Sequence, residues 1–280
     1  MTCFQLAMAL SAIGSDAPQH EAAELIRVFA GKSREWCLLN RDTELPDSVA
    51  DALTKRQCGI PLQYILGEAW FYGYRFHVTP DCLIPQPDTE LTVSRALELL
   101  PPDGTLLDLC TGSGCIAISV LNEHPSARAI AIDISKPALT VASKNRELHE
   151  LHDRLRLIEC DVLTSPQLPG LIAGADVITS NPPYINSDVI PTLPREVQHE
   201  PLLALDGGSD GMIFYRKFIS DLARSMKSSA VMLLEIGYDQ SERVAALCES
   251  AQLSCHFHRD FGGNLRVAEI RRVTPTDSAI

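Results

Sequence analysis

No run of 18 or more apolar residues occurs in this chain, so a membrane-spanning helix is not expected. A cationic leader is missing as well. The opening MTCFQLAMALSAIG is apolar but has no positively charged stretch ahead of it, and it is not read as a signal peptide. Basic residues are in deficit: 24 Lys and Arg stand against 36 Asp and Glu, a formal net charge of −12. That balance argues against gripping duplex DNA by neutralising many phosphates, which requires a basic face. Cys-x-x-Cys pairs are absent. The nine cysteines, at positions 3, 37, 58, 82, 110, 115, 160, 248 and 255, are odd in number and scattered. Neither a metal site nor a disulfide framework is expected from them; reduced thiols in a cytoplasm are. Internal repeats and low-complexity tracts are lacking too.

What is present is an ordinary globular composition of 280 residues, 45% apolar and 21% charged, enough for a sizeable core and wrong for a disordered chain. At about 150 residues per domain, the length fits one large domain or two modest ones. The first sixty residues read as helices. Ala22, Leu25, Ile26 and Phe29 fall on one helical face, with Asp16 expected as the cap and Gly31 as the stop. A second helix follows Pro46, carrying Val49, Ala50 and Leu53 on one side. This part holds 6 basic and 9 acidic residues up to Gly73, so it is no basic arm. From Trp70 the period changes, and the aromatic and β-branched stretch to Val78, with Gly73 in its middle, predicts a hairpin or connector. Pro87, Asp88 and Glu90 then suit the positive end of a helix over Leu91–Leu100.

Beyond Pro101-Pro102-Asp103-Gly104, strands and helices alternate. Leu106–Leu109, Ala129–Ile132, Leu155–Ile158, Val177–Thr179 and Val231–Ile236 are short apolar runs of the kind buried inside a parallel sheet. Helical segments such as Ile116–Glu123 and Pro137–Leu148 separate most of them. Ser254–His258 and Leu265–Ile270, joined through Gly262-Gly263-Asn264, read as a closing hairpin. The pattern predicts a doubly wound α/β sheet with an antiparallel edge. The last ten residues, polar and proline-containing, are expected to fray.

Asp108-Leu109-Cys110-Thr111-Gly112-Ser113-Gly114-Cys115-Ile116-Ala117 reads as strand, glycine turn and helix start. Glycines let the backbone turn sharply and let a ligand approach with no Cβ in the way. Gly112–Ala117 also satisfies G-x-G-x-x-A, so by itself the loop fits a dinucleotide site or simple tight-turn packing. Asp133 ends the next strand about twenty residues on, where a carboxylate can accept both hydroxyls of a ribose; it could equally cap the following helix. Asp161, after the third strand, stands where an adenine ring would rest, or is an ordinary loop acid. Three such features at successive strand ends favour an adenosine-containing ligand. Asn181-Pro182-Pro183-Tyr184 follows the fourth strand. Its prolines supply carbonyl acceptors and no competing N–H, and the Asn181 side-chain oxygen adds another acceptor. Such a turn suits a planar –NH₂ group, with the Tyr184 ring against its flat face.

Asp108–Gly114, Asp133 and Asn181–Tyr184 together resemble the S-adenosylmethionine-dependent methyltransferases that act on amino or amide nitrogen. Within them, the chain from about Pro61 to Arg271 is similar to the protein glutamine N5-methyltransferases of bacterial peptide chain release factors. The likeness runs through Pro61–Gly67, Phe71-Tyr72-Gly73, Leu83–Glu90, Glu200-Pro201, Ala204-Leu205, Asp210-Gly211, Leu234–Gly237 and Arg259-Asp260. Gln86 stands where the family usually has arginine, and Cys110 where it often has glycine. The Asp-Leu-Cys-Thr-Gly-Ser-Gly-Cys form is shared with a sister family acting on a large-subunit ribosomal protein. The N-terminal half and the Asp260–Asn264 ending favour the release-factor branch.

The resemblance implies a seven-stranded, mostly parallel Rossmann-like methyltransferase sheet with a C-terminal antiparallel hairpin. It also implies a helical substrate-recognition domain over 1–69, a hairpin connector over 70–82 and a catalytic domain over 83–280. S-adenosylmethionine is the implied cofactor, held by Asp108, Cys110, Thr111, Gly112, Ser113, Gly114, Asp133, Asp161, Val162 and Asn181. The implied substrate is the glutamine of the Gly-Gly-Gln motif in class 1 release factors, held by Asn181, Pro182, Pro183 and Tyr184. Asn181 and the Pro182 carbonyl would orient the nitrogen and Tyr184 the amide plane; no general base is evident. A monomer, without direct nucleic-acid or membrane contact, is expected. A nucleic-acid adenine N6-methyltransferase makes the same demands of Asn-Pro-Pro-Tyr, but the net charge and lack of a basic stripe count against it. An NAD-dependent oxidoreductase would leave that turn unexplained.

Overall fold

A computed structural model describes residues 1–273. The chain divides into two compact units, one formed by Met1–Ala69 with Leu193–His199, the other by Trp70–Thr192 with Glu200 onward. Among the described residues, no helix is long and apolar enough to cross a membrane.

The first unit holds five helices: α1 (Cys3–Ala12), α2 (Pro18–Ala30), α3 (Arg34–Leu39), α4 (Asp47–Gln57) and α5 (Leu62–Leu66). Thr2 and Gln5 close a reciprocal capping box on α1. Helix α2 buries Ala22, Leu25 and Ile26, and ends on a left-handed Gly31 (φ 64°). Its start differs from the expected Asp16 cap. Ala17 is the N-cap with no side-chain hydrogen bond, and Pro18 takes the first helical position, where its fixed φ suits the helix start. Leu6, Leu10, Leu25, Ile26 and Val49 form the centre of this unit's core. The buried Arg56 of α4 pairs with Glu21 at 3.0 Å and Glu196 at 2.8 Å, which ties the 193–199 segment to the helices.

The expected hairpin is formed by β1 (Glu68–Phe71), which starts in the last two residues of the first unit's main segment, and β2 (Tyr74–His77). Its two-residue turn, Tyr72 and Gly73, has φ of 51° and 77°, the handedness that matches twisted strands. A 3₁₀ turn (Pro87–Thr89) leads into α6 (Glu90–Leu99). The chain then runs β3 (Thr105–Leu109), α7 (Cys115–Glu123), β4 (Arg128–Asp133), α8 (Lys136–Leu148), β5 (Leu155–Glu159), α9 (Leu168–Gly174) and β6 (Val177–Ser180). The short α10 (Leu202–Leu205) and α11 (Ile213–Tyr215) follow, the latter continued by a π-helical stretch, Arg216–Leu222. Strand β7 (Val231–Glu235), α12 (Ser241–Ser250), β8 (Leu253–Arg259) and β9 (Leu265–Arg272) complete it.

The seven-stranded sheet has the order β5-β4-β3-β6-β7-β9-β8, parallel from β5 to β7 and antiparallel at β9 and β8. Side-chain alternation sends Leu106, Val177 and Leu233 to one face, and Leu107, Ile178 and Leu234 to the other. Both faces are covered by helices, which is why the central strands β3, β6 and β7 are buried along nearly their whole length. Arg271 and Arg272 pair within the hairpin, contrary to the expected fraying; the rest of that tail, 274–280, lies outside the described residues. From β3 the order runs one way to β4 and β5 and the other way to β6 and β7. The C-terminal ends of β3 and β6 therefore flank the switch point, where open α/β sheets form a crevice.

Candidate active site

The glycine loop leaves β3 through three left-handed residues, Cys110 (φ 58°), Gly112 (φ 55°) and Gly114 (φ 82°). A Cβ on Gly112 would meet nothing within 4 Å, so its bare Cα faces open space where a ligand can approach. A Cβ on Gly114 would lie 3.1 Å from Ile118, so this glycine serves close packing at the start of α7. Beneath the loop, Asp108 is fully buried and accepts the Thr111 hydroxyl at 2.5 Å and the Thr179 hydroxyl at 2.8 Å. Burial pushes its carboxyl up to about 6, opposed by these two hydroxyls. Asp108 and Gly114 thus shape the loop from behind and do not line the cavity, whereas Cys110, Thr111, Gly112 and Ser113 do. The Cys110 thiol is held neutral by burial, which raises its pKa well above the usual value.

Asp133, at the end of β4, accepts the Gly112 N–H at 2.9 Å on one oxygen and the Ser135 N–H at 2.9 Å on the other. The Ile134 amide adds to these, and the side chain lines the cavity. Capping of α8 falls to Ser135, whose hydroxyl accepts the Ala138 N–H. Desolvation raises the Asp133 pKa, opposed by the Ser135 and Gly112 amides. Asp161 is pinned by the Leu163 N–H at 2.8 Å and the Thr164 hydroxyl at 2.6 Å; with Val162 it forms the cavity wall beyond β5.

Asn181 follows β6 directly and reaches the same cavity, as does Pro183; Pro182 and Tyr184 do not line it. Tyr184 packs on the core below the sheet face, and burial pushes its hydroxyl up to about 12. Its carbonyl accepts the Gln240 amide at 2.9 Å, which also reaches the Gly211 carbonyl at 3.1 Å. Gly207 lies against the same turn, where an added Cβ would sit 2.8 Å from the Tyr184 Cα. The turn is therefore braced by the Gln240 side chain on one side and the Gly207 backbone on the other.

The sequence singled out none of several residues that complete the surroundings. Asn145 of α8 is fully buried and joins the Ser113 carbonyl at 2.9 Å to the β2 backbone at His77. Glu200 accepts the Ile84 N–H at 3.0 Å, anchoring the Cys82–Gln86 segment that forms another wall. Burial carries Glu200 up to about 7. Thr89 accepts from the Asn181 amide at 3.1 Å and donates to the Glu235 carboxylate at 2.7 Å. Signals existed for some of them, since Leu83–Glu90, Glu200-Pro201 and Leu234–Gly237 carry the family resemblance, but no local pattern assigned them a task.

Two family patterns match the chain: the Methyltransferase small domain over residues 89–197 and the PrmC N-terminal domain over residues 5–67. The release factor glutamine methyltransferase of Moorella thermoacetica is 39% identical over 247 residues, covering 86% of this chain and 86% of that relative. Its counterpart from Caulobacter vibrioides is 38% identical over 246 residues, covering 85% and 83%. Among solved structures, the hMettl16 catalytic domain in complex with the MAT2A 3′UTR hairpin 6 shares the fold. The TM-score is 0.58 at 16% identity, over 79% of this chain and 82% of that one.

Proposed function

The chain belongs to the release factor glutamine methyltransferase family, and on that premise we propose that it transfers a methyl group from S-adenosylmethionine to the side-chain amide nitrogen of the Gly-Gly-Gln glutamine in class 1 release factors. One observation carries the reading: Asn181 lines the same cavity as the bare Cα of Gly112 and the carboxylate of Asp133. The residues fit the cofactor. Gly112 leaves the space that its amino-acid end needs, Asp133 offers its carboxylate to ribose hydroxyls, and Val162 with Asp161 borders the place for adenine. When bound, the sulfonium supplies an electrophilic methyl group.

An amide nitrogen is a poor nucleophile because its lone pair is delocalised into the carbonyl. The protein's task is then placement. Asn181 Oδ1 and a proline carbonyl of the turn accept the two N–H bonds, direct the nitrogen inward and favour the positive charge that develops on it. The surplus proton leaves to water after transfer. An exposed glutamine flanked by glycines can enter because nothing bulky adjoins it, and an acidic enzyme gains little from a phosphate backbone.

Incubation with radiolabelled cofactor and intact release factor, followed by mapping of the labelled residue, tests the assignment. Label on the Gly-Gly-Gln glutamine is expected; label in DNA or a ribosomal protein, with none in the factor, overturns it. Asp133→Ala should weaken cofactor binding. Hydrogen bonds to a charged group are worth about 1.5–3 kcal/mol each, so calorimetry should show at least about a tenfold loss. An unchanged dissociation constant in the folded variant would remove Asp133 from the site.

A further inference from the structure

We propose that Thr89 and Glu235 form a directional hydrogen-bond relay that decides which end of the Asn181 amide faces the reacting nitrogen, making both positioning residues for methyl transfer. This rests on the function proposed above. A carboxamide has one accepting end and one donating end of nearly equal shape. Only the accepting end can hold an N–H of a substrate amide; the donating end would oppose it proton to proton. Packing alone distinguishes the two poorly, so another force must set the choice.

The relay sets it by proton count. Glu235 is buried at the end of β7, and its Oε2 takes the Thr89 hydroxyl at 2.7 Å. An ionised carboxylate can only accept, so the single Thr89 proton is committed to it. The Thr89 oxygen is then an acceptor toward Asn181, and the amide must turn its Nδ2 to Thr89, as it does at 3.1 Å. Oδ1 takes no hydrogen bond among the described residues and is the end left for a ligand in the cavity that Asn181 lines. Thr89 is itself buried, so water does not scramble the order.

The relay holds only while Glu235 is ionised. A protonated Glu235 can donate to Thr89, whose own proton is then free to point at Asn181, and the amide can reverse. The groups facing Glu235 pull both ways. Asp88, beside Thr89 in the 3₁₀ turn, disfavours its charge; Arg266 of β9, paired with Asp88 at 3.1 Å and Asp260 at 3.2 Å, favours it. Tyr184, Cys115 and Tyr215 also feel its charge, and the Tyr215 hydroxyl donates at 2.8 Å to its backbone carbonyl. Burial is the largest influence and carries the group up to about 7. Turnover should therefore rise with pH as Glu235 loses its proton, and fall as it regains it.

The test uses the full-length enzyme and intact release factor. Methylation by the unaltered chain comes first; its absence refutes the proposed function and not the relay. Thr89→Val should lower kcat by about 10-fold to 10²-fold, the scale of a displaced catalytic group. Its cofactor KM should stay within about twofold, since uniform binding is untouched. Thr89→Ser should restore most of the lost rate. Unaltered enzyme should gain kcat between about pH 6 and about pH 8, and Glu235→Gln should be slower and lack that limb. Normal kcat in Thr89→Val, no rescue by serine, or a pH limb that survives Glu235→Gln would each overturn the relay. The last result would place the limb on another carboxyl raised by burial, Glu200, Asp108 or Asp133.

Discussion

Replacing Asn181 with alanine is expected to depress kcat for release factor methylation by on the order of 10² or more, with little change in cofactor affinity. The reason is geometric. The Asn181 side chain follows β6 without an intervening residue, and its amide is held through Nδ2 by Thr89. Its oxygen therefore contacts the acceptor nitrogen in the proposed complex and not the tightly bound parts of the cofactor. Single-turnover rates with saturating cofactor, alongside calorimetry of cofactor binding, separate the two effects. A folded variant that keeps near-normal turnover would refute the amide clamp, whatever its cofactor affinity.

Gly211→Ala should be the most damaging single-methyl change in the second unit. Gly211 has φ of 71°, where an L side chain costs roughly 1–2 kcal/mol before any contact is counted. Its added Cβ would also collide with the Tyr184 carbonyl oxygen and lie 2.9 Å from Gln240 Nε2. The first is backbone and cannot swing aside. Total destabilisation of about 2–4 kcal/mol is expected, in line with strained-backbone substitutions, and a melting temperature lower by roughly 5–15 °C. The displaced carbonyl belongs to the Asn-Pro-Pro-Tyr turn, so activity should fall further than stability alone explains. Gly170→Ala is the matched control, with nothing within 4 Å of the new Cβ and no positive φ. Equal melting temperatures for the two variants would refute the clash.

The central strands β3, β6 and β7 were legible because they are buried on both faces, which writes a short apolar run into the chain, whereas β8 and β9, only partly buried, were legible through the glycine-rich turn that joins them. The hairpin was legible for a different reason, the aromatic and β-branched stretch Trp70–Val78 with Gly73 in its middle, although its first strand starts earlier, at Glu68. The Asp16 cap was misread because capping depends on which residue adopts the entry dihedrals. Pro18, favoured at the first helical position by its fixed φ, sets the N-cap at Ala17, one residue beyond Asp16. Cys110 shows the converse: its left-handed φ of 58°, at a place the family often fills with glycine, follows from the turn and not from any preference of cysteine.

By itself the sequence determined the element order, the glycine loop, and the Asp133, Asp161 and Asn181 strand ends, because each is a local pattern of a few adjacent residues. Tertiary structure alone decided which of them share a cavity. Asp108 and Tyr184 belong to the same local motifs as Gly112 and Asn181, yet the turns after β3 and β6 place the first beneath the loop and the second against the core. It also decided the company of Asn181. Thr89 and Glu235 lie 92 residues before it and 54 after it in the chain, and hydrogen bonds of this separation leave no periodic trace. They meet because β6 and β7 are parallel neighbours whose C-terminal ends emerge together at one edge of the sheet, and the turn that opens α6 closes over that edge.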